Sequence, residues 1–492
     1  MNRGAHLVLH QSFMGMFKIR VYFFLLGALA FSISNTYENI INAEKCIISI
    51  PDLTFFNQSN PGYSAVAKPF NLRLTPTPAL VTIPYNVTVS ARSGGHSYAA
   101  YALSGNIVVD LSEMKSVVLN PDNTTVVQTG TRLGDLALSI FNQGGRALPH
   151  GTCPYIGTGG HTLYGGFGHF GRVGGLLLDT VVSADIVLAN GTLVTLTPQH
   201  HNNLLTAIRG GGPSFGIVVS WTYQTLPAPP TTVKYLILFP NSPSPNALPA
   251  ADALNIYSLW QSFIQNKPDE FSAIAIFGNA SLGNVVLAFA GTYYGTEEEA
   301  VDLLNPFINS IPSCLRPNIS IEALGWIEGL GSFANGLGNG PLNTSLAPDS
   351  SLITNSPTPE SNLKNFINYM ATNGSLEKAD TSWFVQADLY GGQIARLGNG
   401  TSFDHRSAFL VYQFYASSVM PPYPSDGISF VDGIVKTLTT SPAPPGYPNY
   451  IDPELVPDDL WKQAYFPTKA TELRNIKDSV DPNGVFDFPE GF

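Results

Sequence analysis

From Tyr85 to about Thr225, short runs of β-branched and apolar residues alternate with glycine-rich turns. Val87-Thr88-Val89-Ser90-Ala91-Arg92 and Ile107-Val108-Val109-Asp110-Leu111 read as strands on either side of the loop Ser93-Gly94-Gly95-His96. The stretches 117–120 and 125–128 flank Pro121-Asp122-Asn123, a turn-forming triplet. Between Arg132 and Gln143, the residues Leu133, Leu136, Ala137, Ile140 and Phe141 share one helical face, and Gly144-Gly145 ends the helix. Residues 181–188 and 192–196, joined through Asn190-Gly191, predict a hairpin.

The texture changes after Leu226-Pro227-Ala228-Pro229-Pro230, a linker by composition. Strand alternation recurs at 233–239, 271–277, 285–294 and 408–415, with helical patterns at 247–265 and 297–308 between them. That mixture predicts an antiparallel sheet with helices, a second α+β lobe. Ser441-Pro442-Ala443-Pro444-Pro445 marks another break. The expected organisation is 35–228, 229–440 and a terminal segment 441–492. A chain of 492 residues exceeds what one core supports, in agreement with that division.

Residues 1–34 read as a secretory signal rather than as fold. Lys18 and Arg20 precede an apolar run from Val21 to Ile33, too short to span a bilayer, and Met14 or Met16 is a candidate start. N-x-S/T sequons at Asn57, Asn86, Asn123, Asn190, Asn279, Asn318, Asn343, Asn373 and Asn399 support an extracellular, glycosylated protein. The expectation is a secreted monomer with no membrane association once the signal is removed. The net charge of -11, with no Lys/Arg-dense run, argues against a nucleic-acid partner. Three cysteines cannot build a disulfide scaffold or an all-thiolate metal site. His161 and His169 have no Cys or carboxylate at ligand spacing, and His6/His10 and His200/His201 read as surface residues, so no metal is expected.

Ten glycines fall between Gly151 and Gly175, in Gly151-Thr152-Cys153-Pro154-Tyr155-Ile156-Gly157-Thr158-Gly159-Gly160-His161 and on through Gly165-Gly166-Phe167-Gly168. Bare backbone can approach a ligand closely and turn several N–H groups onto an anion, which suits a dinucleotide pyrophosphate. A lone glycine turn would mean only a loop. This density, without the strand–GxGxxG–helix context, favours a nucleotide cradle of non-Rossmann type. Arg92-Ser93-Gly94-Gly95-His96-Ser97-Tyr98 would line the same cavity. Taken alone, His96 would be a satisfied polar residue and Cys153 an inert thiol or half of a disulfide. Their placement, each in a glycine-rich loop, changes those odds.

R-S-G-G-H-S-Y, G-T-C-P-x-x-G-x-G-G-H-x-x-x-G-G-x-G and the terminal Tyr447-Pro448-Asn449-Tyr450-Ile451-Asp452 together resemble the berberine-bridge-type flavoproteins of the vanillyl-alcohol-oxidase superfamily, fungal glucooligosaccharide and chitooligosaccharide oxidases above all. The resemblance spans about 69–492. It implies a PCMH-type FAD-binding domain, with FAD attached through the His96 ring nitrogen to the flavin 8α-carbon and through the Cys153 sulfur to flavin C6. It further implies FAD contacts from Arg92, Ser93, Gly94, Gly95, Ser97, Thr152, Gly157, Gly159, Gly160, His161, Gly166 and Val218.

Oxidising an alcohol by hydride transfer also needs a base for the hydroxyl proton. By resemblance that base is Tyr450, assisted by Asp388. Phe384, Gln386 and Asp388 share one face of a strand by period two, and Gln413 alternates outward likewise. Phe384, Gln386, Gln413, Tyr98 and Tyr447 are the expected carbohydrate contacts. Without the resemblance, Asp388 would read as a solvated carboxylate and Tyr450 as a packed aromatic. Phe384 stands where a Trp is expected, and a phenyl ring offers a sugar less stacking area. Ser104 and Gly105 occupy the region where relatives place a cysteine, which leaves Cys46 to Cys314 or to a free thiol. The expectation is a secreted oxidase acting on the anomeric hydroxyl of a mono- or oligosaccharide, with dioxygen as oxidant. Alternatives are a berberine-bridge-like alcohol oxidase or dehydrogenase of a secondary metabolite, and a non-enzymatic glycan-binding protein.

Overall fold

The computed structural model describes residues 58, 62–69, 88–239, 247–334, 345–346, 350–376, 379, 381–418, 423–424 and 426–492. The expected signal, Cys46, Asn57, Asn86 and Asn343 lie outside the described residues.

The first lobe opens with two parallel strands, β1 (Val89–Arg92) and β2 (Ile107–Asp110), in register Arg92↔Asp110. An antiparallel sheet of five strands follows. It contains β3 (Val117–Leu119), β4 (Thr124–Gln128), β5 (Val181–Val187), β6 (Leu193–Leu196) and β7 (Ile217–Gln224), in the spatial order β3-β4-β7-β5-β6. Helix α1 (Leu133–Gly144) buries Leu133, Leu136, Ala137 and Ile140, while Phe141 stays exposed. Gly145 closes the helix at φ 61°, its N–H reaching the carbonyls of Ile140 and Phe141. A left-handed cap of this kind costs glycine nothing.

The second lobe is a nine-stranded sheet with helices on one face. Its long strands are β8 (Thr232–Leu238), β9 (Ile274–Gly278), β10 (Asn284–Tyr293), β11 (Asn318–Leu324), β12 (Ser382–Leu389) and β13 (Leu410–Ser418), ordered β11-β8-β10-β9-β12-β13. Tyr235, Phe277, Phe289, Val385, Tyr412 and Phe414 form one buried cluster with Trp260, Phe307, Phe366 and Ile434 from the helices. Side chains alternate along a strand, so the positions between these core residues, Gln386, Asp388 and Gln413 among them, face the other side.

Two sequence expectations shift. The helical pattern at 247–265 splits into the strand Ala247–Pro249 and the helix Ala250–Phe263, because Pro249 is held extended (φ -50°, ψ 142°) and the helix starts after it. The 226–230 linker is tied down: Leu226–Pro227 pairs with Arg146–Ala147, and the Ala228 N–H reaches Gly145 O.

The terminal segment folds back on the first lobe. Lys477 and Asp481 form a buried pair at 2.6 Å, and Asp481 also accepts the N–H groups of Val485 and Phe486. Val485 in turn accepts the Val89 N–H, and Phe492 packs against Phe215, Trp461 and Phe466. Arg406 grips Asp179 with two bonds of 2.8 Å, a bidentate pair between the lobes in which Asp179 is nearly inaccessible. Of the six described sequon asparagines, Asn123, Asn190, Asn318, Asn373 and Asn399 are exposed. Asn279 is half-buried, and its side chain is bonded to Gly374 O, Thr381 O and Trp383 N.

Candidate active site

Two glycine loops meet in the first lobe. A Cβ on Gly94 would lie 2.2 Å from Gly157 N, so only glycine permits this approach. Ser93 Oγ donates to Thr129 O (2.6 Å) and accepts the Gly159 N–H (3.3 Å). Arg92 is ion-paired with Asp110 at 2.8 Å, and its Nε lies 2.8 Å from where a Gly95 Cβ would stand. Ser97 Oγ accepts the Tyr101 N–H at 3.3 Å. These residues shape the loop that presents His96. Gly160 is exposed, with open space where a side chain would be.

His96 and Cys153 are both half-buried, as is Thr152 beside the cysteine. Burial first, then the fields of Arg132 and Arg92, lower the His96 pKa to about 4. At neutral pH the ring is therefore uncharged. Burial pushes the Cys153 thiol up, while the N–H groups of Tyr155 and Ile156 and the Arg132 charge pull it back. Both are soft nucleophiles in bare-backbone loops, a donor set that fits a covalently held flavin dinucleotide.

Three expected cofactor or substrate contacts sit further back. His161 is 7% exposed; its Nε2 accepts the Gly151 N–H at 2.9 Å, and burial, then His150, hold its pKa at about 3. It braces the loop that carries Cys153. Tyr447 is 2% exposed, and its hydroxyl oxygen accepts the N–H groups of Gly166 (3.0 Å) and Phe167 (2.9 Å). That commitment makes it a staple between the terminal segment and the glycine island rather than a sugar contact. The Val218 side chain lies in the buried core of the first lobe.

On the second lobe, β12 and β13 pair Phe384 with Tyr415 and Gln386 with Gln413. The Phe384 and Tyr415 rings stack at 4.6 Å and 19°. Gln386 Nε2 donates to both oxygens of Asp388, at 2.9 and 3.0 Å. Asp388 is 3% exposed, and burial raises its pKa to about 7 against the pull of Gln386. Tyr450 is half-buried and edge-on to Tyr447, with ring centroids 5.0 Å apart. The fields of Tyr447, Tyr450 and Asp388 all reach the Tyr390 hydroxyl, so the four groups form one cluster between the lobes. Tyr98 is half-buried in the turn just past His96.

Sequence reasoning missed Tyr390, Tyr415, Asn449 and Arg132. Tyr390 and Tyr415 each extend an alternation already recognised, by two positions beyond Asp388 and Gln413. Asn449 bridges the glycine island, accepting the Gly166 N–H and donating to Gly160 O. Cys314 is a free, exposed thiol, and among the described residues no group of three His, Cys, Asp or Glu could hold a metal.

Family comparison matches residues 83–197 to an FAD binding domain and 446–491 to the berberine and berberine-like module. The chain is 32% identical over 460 residues to the xylooligosaccharide oxidase of Thermothelomyces thermophilus, covering 86% of this chain and 89% of the relative. It belongs to this family of berberine-bridge-like FAD oxidoreductases. The FAD-linked oxidoreductase dpmaF of Metarhizium anisopliae is 30% identical, with 90% and 89% covered. The solved glucooligosaccharide oxidase of Acremonium strictum, described with a 6-S-cysteinyl, 8α-N1-histidyl FAD, superposes with a TM-score of 0.81 at 27% identity, covering 91% of this chain and 98% of that one. This berberine-bridge-like protein is thus an FAD-dependent oxidoreductase acting on CH–OH groups, a carbohydrate oxidase with a PCMH-type FAD domain.

Proposed function

We propose that this enzyme is a secreted, monomeric oxidase that holds FAD through both His96 and Cys153. It converts the anomeric hydroxyl of a mono- or oligosaccharide to a lactone, with dioxygen reduced to hydrogen peroxide. FAD, when bound, supplies the hydride acceptor. Tyr450 takes the hydroxyl proton, Asp388 supplies the carboxylate that draws it, and Gln386 and Gln413 offer amides to sugar hydroxyls. A buried carboxyl held by an amide in a cluster of phenols carries this reading, because it is an acid–base device rather than a binding surface. The short apolar run and the five exposed sequon asparagines support secretion.

Oxygen uptake against glucose, cellobiose, maltose, lactose, xylobiose and chitobiose tests the reaction, with the aldonic acid as product. Acid-precipitated protein should stay yellow, and release of all flavin would end the covalent reading. A second reading, oxidation of an alcohol on an apolar secondary metabolite, draws on Ile276, the apolar register partner of Gln386. Turnover of hydrophobic alcohols faster than that of any sugar would favour it.

A further inference from the structure

Arg132 stands where the two nucleophile loops meet. Its backbone bridges to Gly157, which abuts Gly94 two residues before His96. The N–H groups of Leu133 and Gly134 hold the carbonyls of Ile156 (2.9 Å) and Pro154 (3.0 Å), tying Arg132 to the loop that begins at Cys153. The guanidinium lies over the Tyr155 ring, 5.6 Å from its centroid. Among the described residues no carboxylate pairs with it, whereas its neighbour in this region, Arg92, is neutralised by Asp110 at 2.8 Å. Arg132 is therefore an uncompensated cation beside a half-buried thiol whose sulfur also faces two backbone N–H groups.

We propose that Arg132 is a positioning residue that activates Cys153 for attachment to the flavin ring. The inference rests on the bicovalent reading above. The thiolate is the nucleophile, and burial works against it, so a fixed positive charge has an effect here that an exposed cysteine would not need. In balance, the Cys153 S–H and one aromatic ring C–H are replaced by an S–C bond. The two protons and two electrons released are taken by dioxygen as hydrogen peroxide. The same charge keeps the His96 ring neutral, but burial already does so, and His96 attachment should be insensitive to Arg132.

The test compares full-length parent, Arg132→Gln and Arg132→Lys proteins produced at pH 6.5, counting each link by the masses of the peptides that contain His96 and Cys153. The parent carries both links. Arg132→Gln keeps the His96 link, while its sulfur link falls about tenfold, the consequence of a thiol pKa higher by about one unit. Incubation at pH 9 restores that link, and Arg132→Lys retains most of it at pH 6.5. A sulfur link at full yield in Arg132→Gln overturns the inference and leaves the bicovalent reading standing. So does a loss that pH 9 does not repair, or a protein that binds no flavin, since either would assign Arg132 to loop structure or phosphate binding. A parent with no sulfur link would sink the bicovalent reading and the inference with it.

Discussion

Replacing Gln386 with Leu should move the pH dependence of catalysis in a direction set by geometry. Asp388 sits at about 7 instead of the ordinary 3.8 because it is buried, and the Gln386 amide keeps it from rising further. At pH 5 about 1% of Asp388 is then ionised, at pH 7 about half and at pH 8 about 90%. If the carboxylate draws the Tyr450 proton, kcat/KM rises about tenfold per pH unit below 7 and levels off above it. A hydrogen bond to a charged group is worth about 1.5–3 kcal/mol, so losing the amide raises the pKa by about 1–2 units. The inflection moves to between about 8 and 9. Asp388→Asn should be slow with a flat profile. The assay is initial-rate oxygen uptake from pH 5 to 9.5 with the best sugar. A flat parent profile between pH 5 and 7, or an unmoved inflection in Gln386→Leu, would refute the reasoning. The sign for stability runs the other way: the neutral form is favoured in the folded state, so this contribution is complete below about 3.8 and is lost as pH rises through about 7.

Tyr450→Phe should lower kcat by about 10²–10⁴, the usual worth of a general base, while the protein stays yellow; unchanged turnover would remove Tyr450 as base. Glu490 is 3% exposed, with no partner for either oxygen among the described residues, and burial, then the Asp452 charge, push it from 4.5 to about 9. Its stabilising effect is full below pH 4.5 and is lost as pH rises to about 9, so Glu490→Gln should stabilise the fold by about 3 kcal/mol at pH 7 and by little at pH 4.5. Thermal unfolding at both pH values checks this, and an equal shift at both would contradict it. Gly94→Ala places a Cβ 2.2 Å from Gly157 N, and the two loops must separate; flavin content per mole of protein should fall steeply. Flavin content equal to the parent's would contradict that.

Much of the candidate site is legible in the sequence because its chemistry is local. His96 and Cys153 each sit in a glycine loop that a linear pattern reveals, and Gln386 and Asp388 share a face by the simple period of a strand. Tyr447 lies deeper than its motif implies, because a linear motif says nothing about depth: its hydroxyl accepts the N–H groups of Gly166 and Phe167. His161 likewise turns to Gly151, ten residues earlier, and takes its N–H. Val218 lies on a strand whose side chains feed the core. Arg132 carries no motif at all, and its role follows from the loop pressed against it and from the lack of a carboxylate partner among the described residues.

Local periodicity and turn chemistry alone determined the two-lobed division, the hairpin at Asn190-Gly191, the end of the first helix at Gly145 and the pair of nucleophile loops. Those features depend on residues a few positions apart, where backbone sterics and side-chain spacing are decisive. Tertiary structure decided which charges are neutralised, which hydroxyls are committed to backbone and how far burial moves Asp388, His96 and Glu490. Desolvation and Coulomb energies depend on everything within several ångströms in space. In this fold that means bringing residue 166 to residue 447 and residue 179 to residue 406.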